Sequence, residues 1–166
     1  NTGTQAASLL VRALALDPEY PDAYVGRGNT YYAMGEYEQA LADLTRALEL
    51  SPDYVEVYYN RGGVYSEMGE YAKAERDYTS AIELNPRYAE AYNNRGLNYN
   101  DMGAYKQALV DYNRAVELNP EDAVAYYNRG NTYDDMGTYE QAVADYTHAI
   151  ELDPDLAEAY WGRGNT

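Results

Sequence analysis

The chain has 166 residues, with no cysteine, one histidine, and 28 acidic against 12 basic residues, a formal charge of −16. The lack of cysteine excludes disulfides, thiol nucleophiles and sulfur-built zinc sites, and the acidity sets the chain against nucleic acid and anionic membranes and toward basic partners. No apolar run is long enough for membrane insertion, and the opening Asn1-Thr2-Gly3-Thr4 lacks the basic and apolar regions of a secretory signal; a soluble chain is expected, its compartment open and the cytoplasm favoured.

Proline recurs at Pro18, Pro52, Pro86, Pro120 and Pro154, each interval 34 residues, and most other positions keep that period. A repeat of this length marks a unit that cannot bury its own apolar face and must stack on its neighbours. In chain order, residues 1–20 form a partial repeat, a second helix over Gln5 to Leu16 that ends before Pro18. Four whole units follow at 21–54, 55–88, 89–122 and 123–156, and residues 157–166 form a partial repeat with a first helix only. Within each unit two helical stretches flank a glycine turn such as Gly35-Glu36-Tyr37, and the second stretch stops at Leu-x-Pro because proline disfavours helical geometry in the residue before it. Pro21 falls at a helix start, where a missing N–H costs nothing.

Small residues recur where helices must approach: Gly28, Gly62, Gly96, Gly130 and Gly164 on first helices, Ala40, Ala74, Ala108 and Ala142 on second helices. Bulky residues lie between them, including Leu44, Tyr78, Tyr112 and Tyr146. These rows, with the periodic tyrosines and prolines, resemble the signature of the tetratricopeptide repeat over nearly the whole chain. The resemblance implies an all-α, right-handed superhelical solenoid of antiparallel helix pairs. It also implies a concave groove lined by first helices that commonly binds peptides.

The chain departs from that signature where leucine is usual and Arg27, Arg61, Arg95, Arg129 and Arg163 stand instead. A charge beside the core needs a partner, and Asp43, Asp77, Asp111 and Asp145 recur as strictly. A ladder of Arg–Asp pairs is expected; the competing reading turns the arginines into the groove to clasp an acidic ligand. Met34, Met68, Met102 and Met136 precede the turn glycines and read as gap filling at the bend.

Groove-facing positions carry over from the resemblance as Asn29, Tyr32, Tyr59, Asn93, Leu97, Asp101, Tyr127, Asn131, Asp135 and Trp161, with Asn60, Asn94 and Asn128 able to join them. Amides can bond an extended backbone, aromatics can grip side chains, and carboxylates select lysine or arginine. Co-chaperones of the family clamp acidic peptide C-termini with basic residues, but the corresponding places hold Val25, Glu90 and Asn94, so a neutral-to-basic peptide is expected. No motif supports catalysis, a cofactor or a metal site; Gly26-Arg27-Gly28 lies inside a helix, and His148 reads as a surface residue. The expected function is a non-catalytic protein-interaction module. The alternative is a scaffold that self-associates head to tail through its partial repeats, with Leu10, Leu14 and Tyr160 at the contact.

Overall fold

The computed structural model describes residues 2–166, and Asn1, the first residue of the partial repeat expected over 1–20, lies outside them. The described residues form ten α-helices and no strand. They fall into two compact units, residues 2–86 and 87–166.

The first unit holds α1 (Thr2–Leu16), α2 (Pro21–Ala33), α3 (Tyr37–Leu50), α4 (Val55–Glu67) and α5 (Tyr71–Leu84). Helices α2 and α3, and α4 and α5, are paired, while α1 packs on α2 and α3 on α4. Its core centres on Ala40, Leu44, Ala47, Val57 and Val64, with Tyr24, Tyr31, Tyr54 and Tyr58 packed around them. The second unit holds α6 (Ala89–Asp101), α7 (Tyr105–Leu118), α8 (Ala123–Asp135), α9 (Tyr139–Leu152) and α10 (Ala157–Asn165), paired as α6 with α7 and α8 with α9, α10 lying against α9 and α8. Ala108, Tyr112, Ala115, Ala125, Ala142, Tyr146 and Ala149 are buried there. The all-α repeat of antiparallel helix pairs is thus present in both units.

Each hairpin bend is built by a left-handed glycine, with φ of 76° at Gly35, 71° at Gly69, 72° at Gly103 and 72° at Gly137. Around the first bend, the Gly35 N–H donates to the Tyr32 carbonyl and the Glu36 N–H to the Tyr31 carbonyl, both at 2.9 Å. This Schellman closure satisfies carbonyls that the helix end would leave orphaned, and a residue with a Cβ would be strained at the glycine position. The methionines before these glycines cap the helices, and Met34, Met102 and Met136 are partly exposed at the bend. Loops after second helices are fastened differently: the Tyr24 hydroxyl donates to the Pro18 carbonyl and the Tyr58 hydroxyl to the Pro52 carbonyl.

The glycine rows of the first helices have a direct steric cause. A Cβ on Gly62 would come within 2.9 Å of the Tyr78 ring, one on Gly96 within 3.0 Å of Tyr112, and one on Gly130 within 2.9 Å of Tyr146. On α10 a Cβ on Gly162 would come within 2.9 Å of Tyr146 on the preceding helix, the counterpart of Gly26 against Leu10 at 3.4 Å, whereas nothing lies within 4 Å of Gly164.

Candidate functional site

Arginine and aspartate meet inside each hairpin. Arg61 Nε and Nη2 donate to the two carboxylate oxygens of Asp77, both at 2.7 Å. Arg27 bonds Asp43 in the same bidentate way, at 2.7 and 2.6 Å, and so do Arg95 with Asp111 and Arg129 with Asp145. The third arginine nitrogen reaches the preceding hairpin: Arg61 Nη1 donates to the Thr45 hydroxyl, and Arg129 Nη1 to the Asn113 side-chain oxygen at 2.8 Å. Each guanidinium also lies over the tyrosine three residues earlier, Arg129 at 5.3 Å from the Tyr126 ring centre. The hydrogen bond to the carboxylate raises the pKa of Arg27, Arg61 and Arg129 above its ordinary value; for Arg95, burial is the largest single influence and opposes the charge, but the Asp111 hydrogen bond and the Asp111 charge together leave its pKa raised as well. These guanidiniums are therefore turned into the helix pairs and committed to carboxylates there. Arg163 stacks on Tyr160 and donates to Thr147.

The remaining predicted residues lie on the first helices. In the first unit, Asn29 is exposed, and Tyr32, Tyr59 and Asn60 are half-buried. The Tyr59 ring leans on Tyr78 at 5.9 Å and Tyr32 on Tyr37 at 6.1 Å. Burial and then the Glu67 charge push the Tyr32 phenol up, so it stays a neutral donor.

In the second unit α6 and α8 share a polar seam. The Asn128 amide donates to the Asn93 side-chain oxygen at 3.2 Å, the Thr132 hydroxyl to the Asn100 oxygen at 2.7 Å, and the Asn100 amide to Asp135 at 3.2 Å. Asn93 is largely buried and its amide donates to Asn94. Expected as ligand-facing amides, Asn93 and Asn128 thus spend part of their bonding capacity on each other. Thr132 enters this seam without having been singled out in the sequence, and neither it nor Asn100 stands in a strictly repeated row that would have marked the contact. Asp101 and Asp135 are exposed at the helix ends, and Leu97 is 40% exposed.

The same face distinguishes two otherwise equivalent tyrosines. Tyr146 donates to the Asn131 side-chain oxygen at 2.8 Å, and burial foremost, then the Asp134 charge, pushes its phenol up to about 12. At the position equivalent to Asn131, α6 carries Leu97, which offers no acceptor. The Tyr112 hydroxyl is buried with no hydrogen-bond partner among the described residues; Thr132 lies close by, its hydroxyl given to Asn100. Burial, and next Asp101, raises this phenol strongly.

Between α8 and α10, Tyr127, Ala157, Glu158 and Trp161 line a pocket of about 270 Å³. Trp161 is 72% exposed, the most accessible aromatic on this face.

The residues expected at an end-to-end contact separate. Leu14 is 8% exposed, and Leu10 lies 3.4 Å from where a Cβ on Gly26 would sit, so both pack inside the first unit against α2. The outward side of α1 carries Leu9, Val11 and Leu16 instead, and Tyr160 is exposed on α10. The apolar residues of α1 occupy more than one helix face, and the stripe that meets α2 is the one with Leu10 and Leu14. Among the described residues no cluster of three or more histidine, cysteine, aspartate or glutamate side chains is arranged to hold a metal ion, and no helix is long and apolar enough to cross a membrane.

Family profiles described as TPR repeat match residues 28–69 and 97–137, and others described as tetratricopeptide repeat match 55–88, 123–156 and 2–42. No curated protein matches in sequence. Among solved structures, the chain is similar to MamA, with 28% identity, a TM-score of 0.83, and 92% of this chain and 89% of that one covered. It is equally similar to YrrB, described as a TPR protein with an unusual peptide-binding site, at 28% identity and a TM-score of 0.82, covering 99% and 84%. The thermophilic TPR protein TTC0263 from Thermus thermophilus shares the fold at 24% identity and a TM-score of 0.79, covering 98% and 89%.

Proposed function

Because this chain belongs to the tetratricopeptide repeat family, a family of protein-interaction modules that are generally non-catalytic, we propose that it binds an extended, neutral-to-basic peptide along its first-helix faces. The observation that carries this reading is the composition of the α6, α8 and α10 face. Amides with spare capacity, exposed apolar and aromatic side chains, and carboxylates stand side by side there, while the nearby arginines are tied to aspartates. Tyr146 occupies one lone pair of Asn131, and among the described residues the amide N–H groups of Asn131 stay free for a peptide carbonyl. The corresponding face of the first unit supplies Asn29, Tyr32, Tyr59 and Asn60. The net charge of −16 favours cationic sequences and speeds their encounter. YrrB, a similar protein described as peptide-binding, supports the general mode.

Fluorescence anisotropy with labelled decapeptides of basic, neutral and acidic composition tests this. Basic peptides should bind best and weaken as salt rises, since exposed charges are screened within about 8 Å at physiological ionic strength. Preference for acidic peptides, or unchanged affinity in Tyr127→Ala, would overturn the reading.

A second reading is head-to-tail self-association, favoured by the exposed Leu9, Val11 and Leu16 on α1 and Tyr160 on α10. Apolar contact between acidic chains should strengthen with salt, opposite to peptide binding. Sedimentation over a concentration series separates the two, and a monomer at every concentration and salt level would remove self-association.

A further inference from the structure

The pocket between α8 and α10 differs from the rest of the first-helix surface in having walls of two aromatic rings and a carboxylate. Tyr127 comes from α8; Ala157 and Glu158 come from the first turn of α10 and Trp161 from the next. Its volume of about 270 Å³ falls below the roughly 300–1,000 Å³ of small-molecule sites, and suits a single long side chain. The two cations nearest in sequence do not fill it: Arg129 is bound to Asp145 and Asn113, and Arg163 stacks on Tyr160 and bonds Thr147.

We propose that this pocket is an arginine-binding subsite, its occupant the guanidinium side chain of a peptide residue, stacked on Trp161 beside Tyr127 and paired with Glu158. The proposal deepens the peptide-binding reading and rests on it for its biological setting. An apolar occupant would strip water from Glu158 without returning a hydrogen bond, which is costly. A cation returns both a charge partner for the carboxylate and an attraction to the ring faces. Between the two cationic side chains, the guanidinium is planar and weakly hydrated, so it can lie flat on the indole and still present its N–H edge to a carboxylate, whereas an ammonium gives up a tighter water shell.

Trp161 is the single tryptophan of the chain, so selective excitation of indole emission reports on this pocket alone. The intact protein is titrated with the capped pentapeptide acetyl-Ala-Ala-Arg-Ala-Ala-amide, with its citrulline counterpart, which keeps the shape and removes the charge, and with its lysine counterpart. A saturable change with the arginine peptide is expected, with lysine weaker and citrulline weaker by about fivefold or more, the worth of one exposed cation–π contact with a carboxylate beside it. With helicity checked by circular dichroism, Glu158→Gln should weaken the arginine peptide severalfold and leave the citrulline peptide unmoved, and Tyr127→Leu should weaken the arginine peptide more than the citrulline peptide. Equal responses to arginine and citrulline, a non-saturating response, or no effect of Glu158→Gln would overturn the subsite. If a basic decapeptide binds while indole emission and the Glu158→Gln affinity stay unchanged, the subsite fails and the wider groove stands; if the pentapeptide saturates while no decapeptide binds more tightly, the groove reading fails and the subsite stands.

Discussion

Replacing Tyr112 by phenylalanine should stabilise the second unit, whereas the same change at Tyr146 should weaken it. Both rings are buried against a first-helix glycine, Tyr112 on Gly96 and Tyr146 on Gly130, so loss of the hydroxyl leaves the packing of each ring intact. What differs is the fate of the hydroxyl. Tyr146 returns its desolvation cost through a 2.8 Å bond to Asn131, and removing that bond should cost about 0.5–1.5 kcal/mol. The Tyr112 hydroxyl is buried beside Thr132, whose own hydroxyl is given to Asn100, and lacks the acceptor that Tyr146 has; a buried, unsatisfied polar group costs about 1–3 kcal/mol, part of which Tyr112→Phe should recover. Leu97→Asn should supply the acceptor that Asn131 provides to Tyr146, and should remove the benefit of Tyr112→Phe. Urea denaturation of wild type, the Tyr112→Phe, Tyr146→Phe and Leu97→Asn variants and the Leu97→Asn/Tyr112→Phe pair, followed by far-UV circular dichroism, gives the free energies. Destabilisation by Tyr112→Phe of about 1 kcal/mol or more would mean that the hydroxyl has a partner, and the contrast between the two tyrosines would fall.

The Arg–Asp pair in α4 and α5 is largely buried, its side chains 18% and 7% exposed, so Asp77→Ala should cost about 3–5 kcal/mol; in a double-mutant cycle with Arg61→Met the losses should couple strongly, and simple additivity would count against a buried pair. Alkaline pH should unfold the second unit through its phenols. The folded pKa of Tyr146 is raised to about 12 against roughly 10 unfolded, so its contribution is complete below about pH 10 and is lost as pH rises through about 12; phenolate absorbance should rise late and together with loss of helicity, and early titration of all tyrosines without unfolding would contradict this. Gly62→Ala drives a methyl group into the Tyr78 ring at 2.9 Å and should cost about 1–3 kcal/mol, while Gly164→Ala meets open space and should be neutral or stabilising by up to about 1 kcal/mol; thermal melts showing equal losses would contradict the steric account.

The helices were legible in the sequence because their ends are marked by residues that act alone. A glycine free to take positive φ closes each hairpin, and a proline stops each second helix one residue after its cap, wherever the rest of the chain lies. Arginine and aspartate sixteen residues apart could be related for a similar reason, since both recur with the core and a hairpin of fixed length brings such positions opposite each other; Arg27 and Asp43 stand 2.6 Å apart. The site was less legible. Which amide bonds which depends on side-chain torsions across neighbouring first helices, so the pairing of Asn128 with Asn93, and of Thr132 and Asn100 with Asp135, carried no local signature. The consequence of Leu97 standing where α8 has Asn131 shows only when the Tyr112 ring is seen over Gly96. On α1 the leucines cover more than one face, and periodicity alone did not tell which would meet α2; Leu10 and Leu14 do, and Leu9 and Leu16 stay outside.

Peptide recognition by the first-helix faces can be decided by mapping backbone amide shifts in a two-dimensional NMR titration with an arginine-containing basic decapeptide. Saturable perturbations are expected to concentrate at Asn93, Leu97, Tyr127, Asn131 and Trp161 and to shrink as salt is raised, with α7 and α9 little affected. Perturbations confined to α7 and α9, or no saturable change at any peptide concentration, would rule out recognition by these faces.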